Sequence, residues 1–320
     1  MFVFPSRPSV TTLMYHGVGR NPTSSLTLPV EAFERQIAWL SRHFEIVGPD
    51  DGALPTKERR RVLLTFDDGF RNNAEVVAPI LRKYRARATF FISSRHTTPG
   101  EYLWFIYLRA LETRFPHPGF MLRGEFQDLS PKARGATVCR IRDWLLELQP
   151  HPIAMYDVLR NEFPPLEEFL SKDQIAEFAG MSTEQLAELS EDRLFTIGAH
   201  TVDHPMLSRC SPCEARRQID ENRSWIESVT GKPCAWIAFP GGDYSRETVQ
   251  IARNADLTGG FAVVPRYDYD SRFELSRVGV YSPTIAHLSA KLKLKRLLTR
   301  RPVVDTLSKL KTLTSNYKLT

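Results

Sequence analysis

Val62-Leu63-Leu64-Thr65-Phe66-Asp67-Asp68-Gly69 is the stretch from which the fold can be read. An apolar and β-branched run, stopped by two adjacent carboxylates and a glycine, predicts a buried strand that ends in a turn. Two ionised carboxylates side by side repel, so a cation or a proton must compensate them. Neighbouring side chains on an extended chain point apart. One carboxylate can therefore ligate a metal while the other faces a substrate. A solvated turn or a helix cap is the alternative meaning of Asp-Asp-Gly.

A second strand-like run, Leu194-Phe195-Thr196-Ile197-Gly198, leads into Ala199-His200-Thr201-Val202-Asp203-His204-Pro205. Two histidines four apart are expected on one face of a helical turn, where both imidazoles reach one ion. An exposed or capping pair is the alternative. Both stretches follow a strand's carboxyl end, where α/β folds build sites. Asp68, His200 and His204 would make a two-His, one-carboxylate site with positions open for water and substrate.

Outward from these stretches the pattern alternates. Val10 to Tyr15 reads as a strand delivering His16 to its end. Phe33, Ile37, Leu40 and Phe44 give a helix over Pro29 to Phe44. Asn72 or Asn73 is expected to cap a helix burying Val76, Val77, Ile80 and Leu81, and Ala88 to Ile92 is the next strand. Strand, helix, strand implies a parallel sheet with right-handed crossovers. Residues 93–180 break the alternation with helices at Tyr102 to Phe115 and Pro131 to Leu148, too long for a plain connection. A helical insertion within one domain of residues 1–290 is expected, followed by a tail over 291–320. Later helices open at Ser182-Thr183-Glu184-Gln185 and at Ser211-Pro212, and one closes at Gly231.

The 320 residues, 42% hydrophobic and 25% charged, suit one α/β barrel of about 200–250 residues with insertions. No run of about 18 apolar residues predicts a spanning helix. Met1 to Val10 makes a poor secretory signal, so a cytoplasmic location is expected. The net charge of +6 is uneven: Lys291 to Thr320 holds nine Lys or Arg against one Asp, +8, and the remainder is about −2. No nucleic-acid motif accompanies that tail. It reads as a solvated extension, with weak attraction to an anionic membrane surface as the alternative. Cys210-Ser211-Pro212-Cys213 lacks the second cysteine pair of a structural zinc site, and the cysteines read as reduced residues flanking a helix start.

The sequence resembles the NodB-homology polysaccharide deacetylases, carbohydrate esterase family 4, from about Leu13 to Val280. Thr65-Phe66-Asp67-Asp68-Gly69 resembles the family's first motif, His200-Thr201-Val202-Asp203-His204 the second, and Phe239-Pro240-Gly241-Gly242-Asp243-Tyr244 the looser third. The resemblance implies a distorted (β/α) barrel and hydrolysis of an N-acetyl group on an amino sugar of a polysaccharide or its biosynthetic precursor. It implies a divalent metal on Asp68, His200 and His204, zinc by default, with Co, Ni, Mn or Fe compatible with the donors. Asp67 becomes the general base and Gly241 an oxyanion donor through its N–H. The family's late Leu-x-His motif is not found. In the exopolysaccharide-biosynthesis branch an early Tyr-His motif, similar to Tyr15-His16, replaces it, which implies His16 as the acid. The third-motif arginine that orients the base in many members is also missing. By the same branch Arg277 substitutes for it, with Asp243 as another candidate. Trp104, Phe105 and Tyr107 suit either a sugar platform or a packed helix. Two further readings are a catalytically silent glycan-binding protein on the same barrel and a metal-dependent hydrolase of another small amide.

Overall fold

A computed structural model describes residues 10–20, 22, 24–51, 60–268 and 271–298. The chain begins with β1 (Thr11–Tyr15) and the short parallel pair β2 (Gly17–Gly19) and β3 (Thr27–Pro29), then α1 (Val30–His43) and β4 (Glu45–Val47). β5 (Arg61–Phe66), α2 (Ala78–Lys83) and β6 (Ala88–Ile92) follow. The alternation then breaks: α3 (Trp104–Thr113), a hairpin of β7 (Gly119–Leu122) and β8 (Glu125–Asp128), α4 (Arg134–Glu147), α5 (Pro152–Glu162), α6 (Lys172–Phe178) and α7 (Thr183–Glu191) intervene. It resumes with β9 (Phe195–Ala199), α8 (Pro212–Thr230), β10 (Trp236–Ala238), α9 (Arg246–Asn254), β11 (Gly259–Ala262), β12 (Leu275–Gly279) and α10 (Ile285–Leu298).

Seven parallel strands close a ring in the order β1–β12–β11–β10–β9–β6–β5 and back to β1, while β4 flanks the first half of β5 outside it. Closure buries both faces of β5, which is why it reads as an unbroken buried run, whereas β12 is only partly buried along most of its length. Side chains alternate all the same. Leu64, Phe66, Phe90 and Ile237 pack outward against α1, α2 and α8 through Phe33, Ile37, Leu81 and Ile219. Leu63, Phe91, Trp236, Ala238 and Phe261 fill the ring's interior as a separate, smaller cluster. The excursion between β6 and β9 builds a third cluster from Leu108, Leu111, Ile141, Leu145, Met155 and Leu159. The sequence pattern predicted α3 and α4 there but not the hairpin, α5 or α6.

Several local expectations hold. Ser182 forms a full capping box with Gln185, and Gly231 closes α8 at φ 65°. Ser211 accepts the Glu214 N–H with Pro212 in the first turn. The expected cap at Asn72 or Asn73 does not form. A π-helical turn, Asn73–Val77, precedes α2, and neither side chain caps it. Asn72 instead accepts the Val18 N–H (3.0 Å), and Asn73 donates to the His16 carbonyl (2.8 Å). Tertiary partners outcompete the local cap, and the two amides tie the chain after β1 to the chain after β5. The basic tail lies mostly outside the described residues. Among the described residues no helix is long and apolar enough to cross a membrane.

Candidate active site

Asp67 continues the line of β5: its N–H donates to the Tyr15 carbonyl at 3.0 Å. At Asp68 the backbone turns left-handed (φ 75°), followed by Gly69 at φ 77°. This twist separates the two carboxylates. Asp67 Oδ1 accepts from Arg277 Nη1 at 2.6 Å, and the same nitrogen lies 3.3 Å from Thr65 Oγ1. Arg277 projects from β12 into the ring, its guanidinium 5.7 Å from the centre of the Phe91 ring. Burial pushes the Asp67 carboxyl up, but Arg277 foremost, with His200 and His16, holds it below the ordinary carboxylate value.

Asp68 faces the two histidines. His200 Nε2 and His204 Nε2 lie 3.4 and 3.3 Å from its Oδ1. All three side chains are buried, and neither Asp68 oxygen has a hydrogen-bond partner among the described residues. A buried carboxylate left this way ordinarily has a cation to satisfy it. Burial raises its pKa, yet the two imidazoles and His16 hold it well below the usual range. His200 Nδ1 donates to the Ala238 carbonyl at 2.7 Å, which fixes the ring and turns Nε2 toward Asp68. Burial lowers the His204 pKa, which keeps that ring neutral, the form in which imidazole ligates. One oxygen and two nitrogens within 4.8 Å of one another, all buried, fit a divalent ion.

The helical turn expected at His200–His204 does not form. The segment is a loop with Thr201 at φ 68° and His204 at φ 54°. Partners from four segments, the turn after β6 and helices α3, α5 and α8, impose that shape. Asp203, 1% exposed, accepts from Arg95 Nε (2.7 Å), Arg217 Nη2 (2.9 Å) and Gln218 Nε2 (2.5 Å). The Tyr156 hydroxyl donates to the Asp203 carbonyl and Trp104 Nε1 to the His204 carbonyl. His96 sits beneath Asp68, its Nδ1 3.0 Å from the Asp68 carbonyl. Sequence reasoning passed over Arg95, His96 and Asp203. Asp203 was visible between the two histidines, and Arg95 and His96 follow a strand's carboxyl end.

A cavity of about 240 Å³ opens over this cluster. It brings together Asp67, Asp68, His16, His200, His204, Gly241 and Arg277, along with Trp104, Phe105, Met206, Tyr281 and Arg109. His16 stands one residue past β1; its buried Nδ1 lacks a hydrogen-bond partner among the described residues. Gly241 needs its glycine: φ is 60°, and a Cβ there would meet Met206 at 2.9 Å. Asp243 is not part of the site. It accepts the Ser208 N–H and pairs with Arg266 at 3.1 Å. Of the aromatic trio, Trp104 is 3% exposed and braces the His204 loop, Phe105 packs 5.0 Å from the His204 ring, and Tyr107 packs on Phe163.

A closed ring of parallel strands with acidic and histidine residues at its carboxyl edge defines the NodB-type (β/α) barrel. A sequence profile of the polysaccharide deacetylases matches residues 55–107 and 151–260. YxkH of Bacillus subtilis strain 168, whose name places it among the polysaccharide deacetylases, is 33% identical over 259 residues. That alignment covers 79% of this chain and 64% of YxkH, so the chain spans less than two thirds of that relative. The chain belongs to the polysaccharide deacetylase family. Solved structures share the fold. The Streptococcus pyogenes deacetylase PplD, solved with acetate, superposes with TM-score 0.55 at 17% identity, over 85% of this chain and 92% of that one. IcaB from Ammonifex degensii gives 0.56 at 16% identity, over 88% and 97%.

Proposed function

We propose that the chain is a metal-dependent deacetylase of the exopolysaccharide-biosynthesis type, hydrolysing N-acetyl groups on amino sugars of a glycan or its precursor. The carrying observation is a buried carboxylate, Asp67, beside a buried Asp-His-His donor set whose carboxylate oxygens lack a hydrogen-bond partner among the described residues. A divalent ion on Asp68, His200 and His204, zinc by default, would polarise the acetyl carbonyl and lower the pKa of a water toward about 7.

The chain's own groups do the rest. Arg277 engages Asp67 through Oδ1, which leaves Oδ2 to accept the proton of the attacking water. A carboxylate held ionised is what a base requires. The left-handed turn at Gly241 brings the backbone of Pro240–Gly242 to the cavity wall, where an N–H can donate to the oxyanion as the water adds to the carbonyl. The C–N bond then breaks, His16 gives a proton to the amine, and acetate and free amine leave. The placement of Arg277 on Asp67 supports an active enzyme over a silent one, because it supplies the base's orienting partner that the third motif lacks.

The test is acetate release from N-acetylglucosamine oligomers by metal-reconstituted protein beside Asp67→Asn. Acetate from the parent alone, with one ion bound per chain in both, is the expected result. Equal release from both proteins removes Asp67 as the base.

A further inference from the structure

The cavity carries a charge that the hydrolysis leaves unused. Its charged walls, histidines aside, are Asp67, Asp68, Arg277 and Arg109. Arg277 is committed to Asp67, 2.6 Å away. A dication on Asp68 and two neutral imidazoles leaves a positive remainder, and Arg109 adds to it. The ion pair described for Arg109 is with Glu112 at 3.8 Å, their side chains 37% and 48% exposed. An open pair at that distance contributes little in water and leaves the guanidinium available.

Arg109 stands on the face of α3 that meets the site. Phe105, four residues earlier, packs 5.0 Å from the His204 ring. Residues four apart share a helix face, separated by about 6 Å along the axis. Tyr281, 42% exposed, lines the same cavity from the loop after β12. Burial foremost, with Asp67, raises its phenol, while Arg277 and Arg109 draw it down, in keeping with the shared cavity wall of Arg109 and Tyr281. Arg109 also falls between the two segments that the family profile matches, in the part of the chain that the profile passes over.

A cleft with positive charge in excess draws anions, and a guanidinium fits the paired oxygens of a carboxylate or phosphate. We infer that the substrate carries a negatively charged group, carboxylate or phosphate, about one helical turn from the reacting acetamido group, and that Arg109 holds it. This rests on the deacetylase reading above.

Calorimetry and acetate release on the metal-loaded protein test it with three probes of equal length. These are a neutral N-acetylglucosamine oligomer, one alternating with glucuronic acid, and one carrying a terminal phosphate. Wild type should bind one anionic probe about tenfold or more tightly than the neutral one, the low end for a charge-assisted hydrogen bond. Which anionic probe gains identifies carboxylate or phosphate. Added salt should weaken the preference. Arg109→Gln should abolish it and Arg109→Lys retain part of it. Glu112→Gln, which unmasks Arg109, should strengthen it by up to about fivefold. Equal or undetectable binding of all probes to wild type, or a preference that survives Arg109→Gln, overturns the inference. Acetate from the neutral oligomer without anionic preference overturns it alone. No acetate from any probe, with one ion bound per chain, overturns the deacetylase reading, and calorimetry still decides Arg109.

Discussion

Replacing Arg277 by methionine strands a charge where water cannot reach it. Arg277 and Asp67 are each 3% exposed and 2.6 Å apart. Removing one partner of such a pair costs about 3–5 kcal/mol. A domain is held by about 5–15 kcal/mol, so the loss is a large share of the total. The penalty has a pH signature. In the wild type the Asp67 pKa is depressed, chiefly by Arg277 against the upward push of burial. Its contribution is present above the unfolded carboxylate pKa of about 3.9 and is lost as pH falls through the lower folded value. In the variant, burial pushes Asp67 upward against His200 and His16 alone. The penalty is then greatest with the carboxylate ionised and shrinks as acid protonates it. Urea unfolding of chelated protein should show a gap of about 3–5 kcal/mol at pH 8 and a smaller one at pH 5. The double variant Arg277→Met with Asp67→Asn, which holds neither charge, should recover part of the loss. A gap at pH 8 under about 1 kcal/mol, the worth of an exposed pair, or one unchanged at pH 5, refutes the reasoning.

Further outcomes follow from the same geometry. His204→Ala should lose the bound ion by elemental analysis, and zinc at about 100 times its Kd should stabilise the wild type by about 2.7 kcal/mol while leaving the variant's melting temperature unmoved. Asp203→Asn leaves Arg95 and Arg217 without their shared carboxylate. We expect about 3 kcal/mol of lost stability in urea and weaker zinc binding by competition titration; unchanged zinc affinity would separate this network from the metal loop. Gly241→Ala forces a Cβ onto Met206 at a left-handed position, a local cost of about 1–2 kcal/mol. Its kcat for acetate release should fall far more than its melting temperature, and equal, small effects on both would remove the turn from the reaction.

Much of this was written locally. The β5 run and its Asp-Asp-Gly stop gave a buried strand with a site at its end, because burial on both faces demands an unbroken apolar run. The caps at Ser182, Ser211 and Gly231 were legible because they depend on three or four consecutive residues. The misreadings at Asn72–Asn73 and at His200–His204 share one cause. Asn72 and Asn73 looked like caps but bond to Val18 and His16, more than fifty residues away in sequence. His200 and His204 looked helical, yet Asp203, Arg95, Arg217 and Trp104 bend them into a loop. In each case a buried long-range hydrogen bond outweighed the local preference.

By itself, then, the sequence determined the strand-and-helix alternation, the candidate donor types and the adjacency of the two carboxylates, since all of these are properties of short spacings. Tertiary structure alone decided that Arg277 reaches Asp67, 210 residues away. It also decided that His16 shares a cavity with His200 and that Arg109 of the excursion faces the same space. Closing the ring sets the last strand, β12, directly beside the first, β1, which pairs with β5 on its other side, and no local pattern in a chain encodes which strand ends will meet.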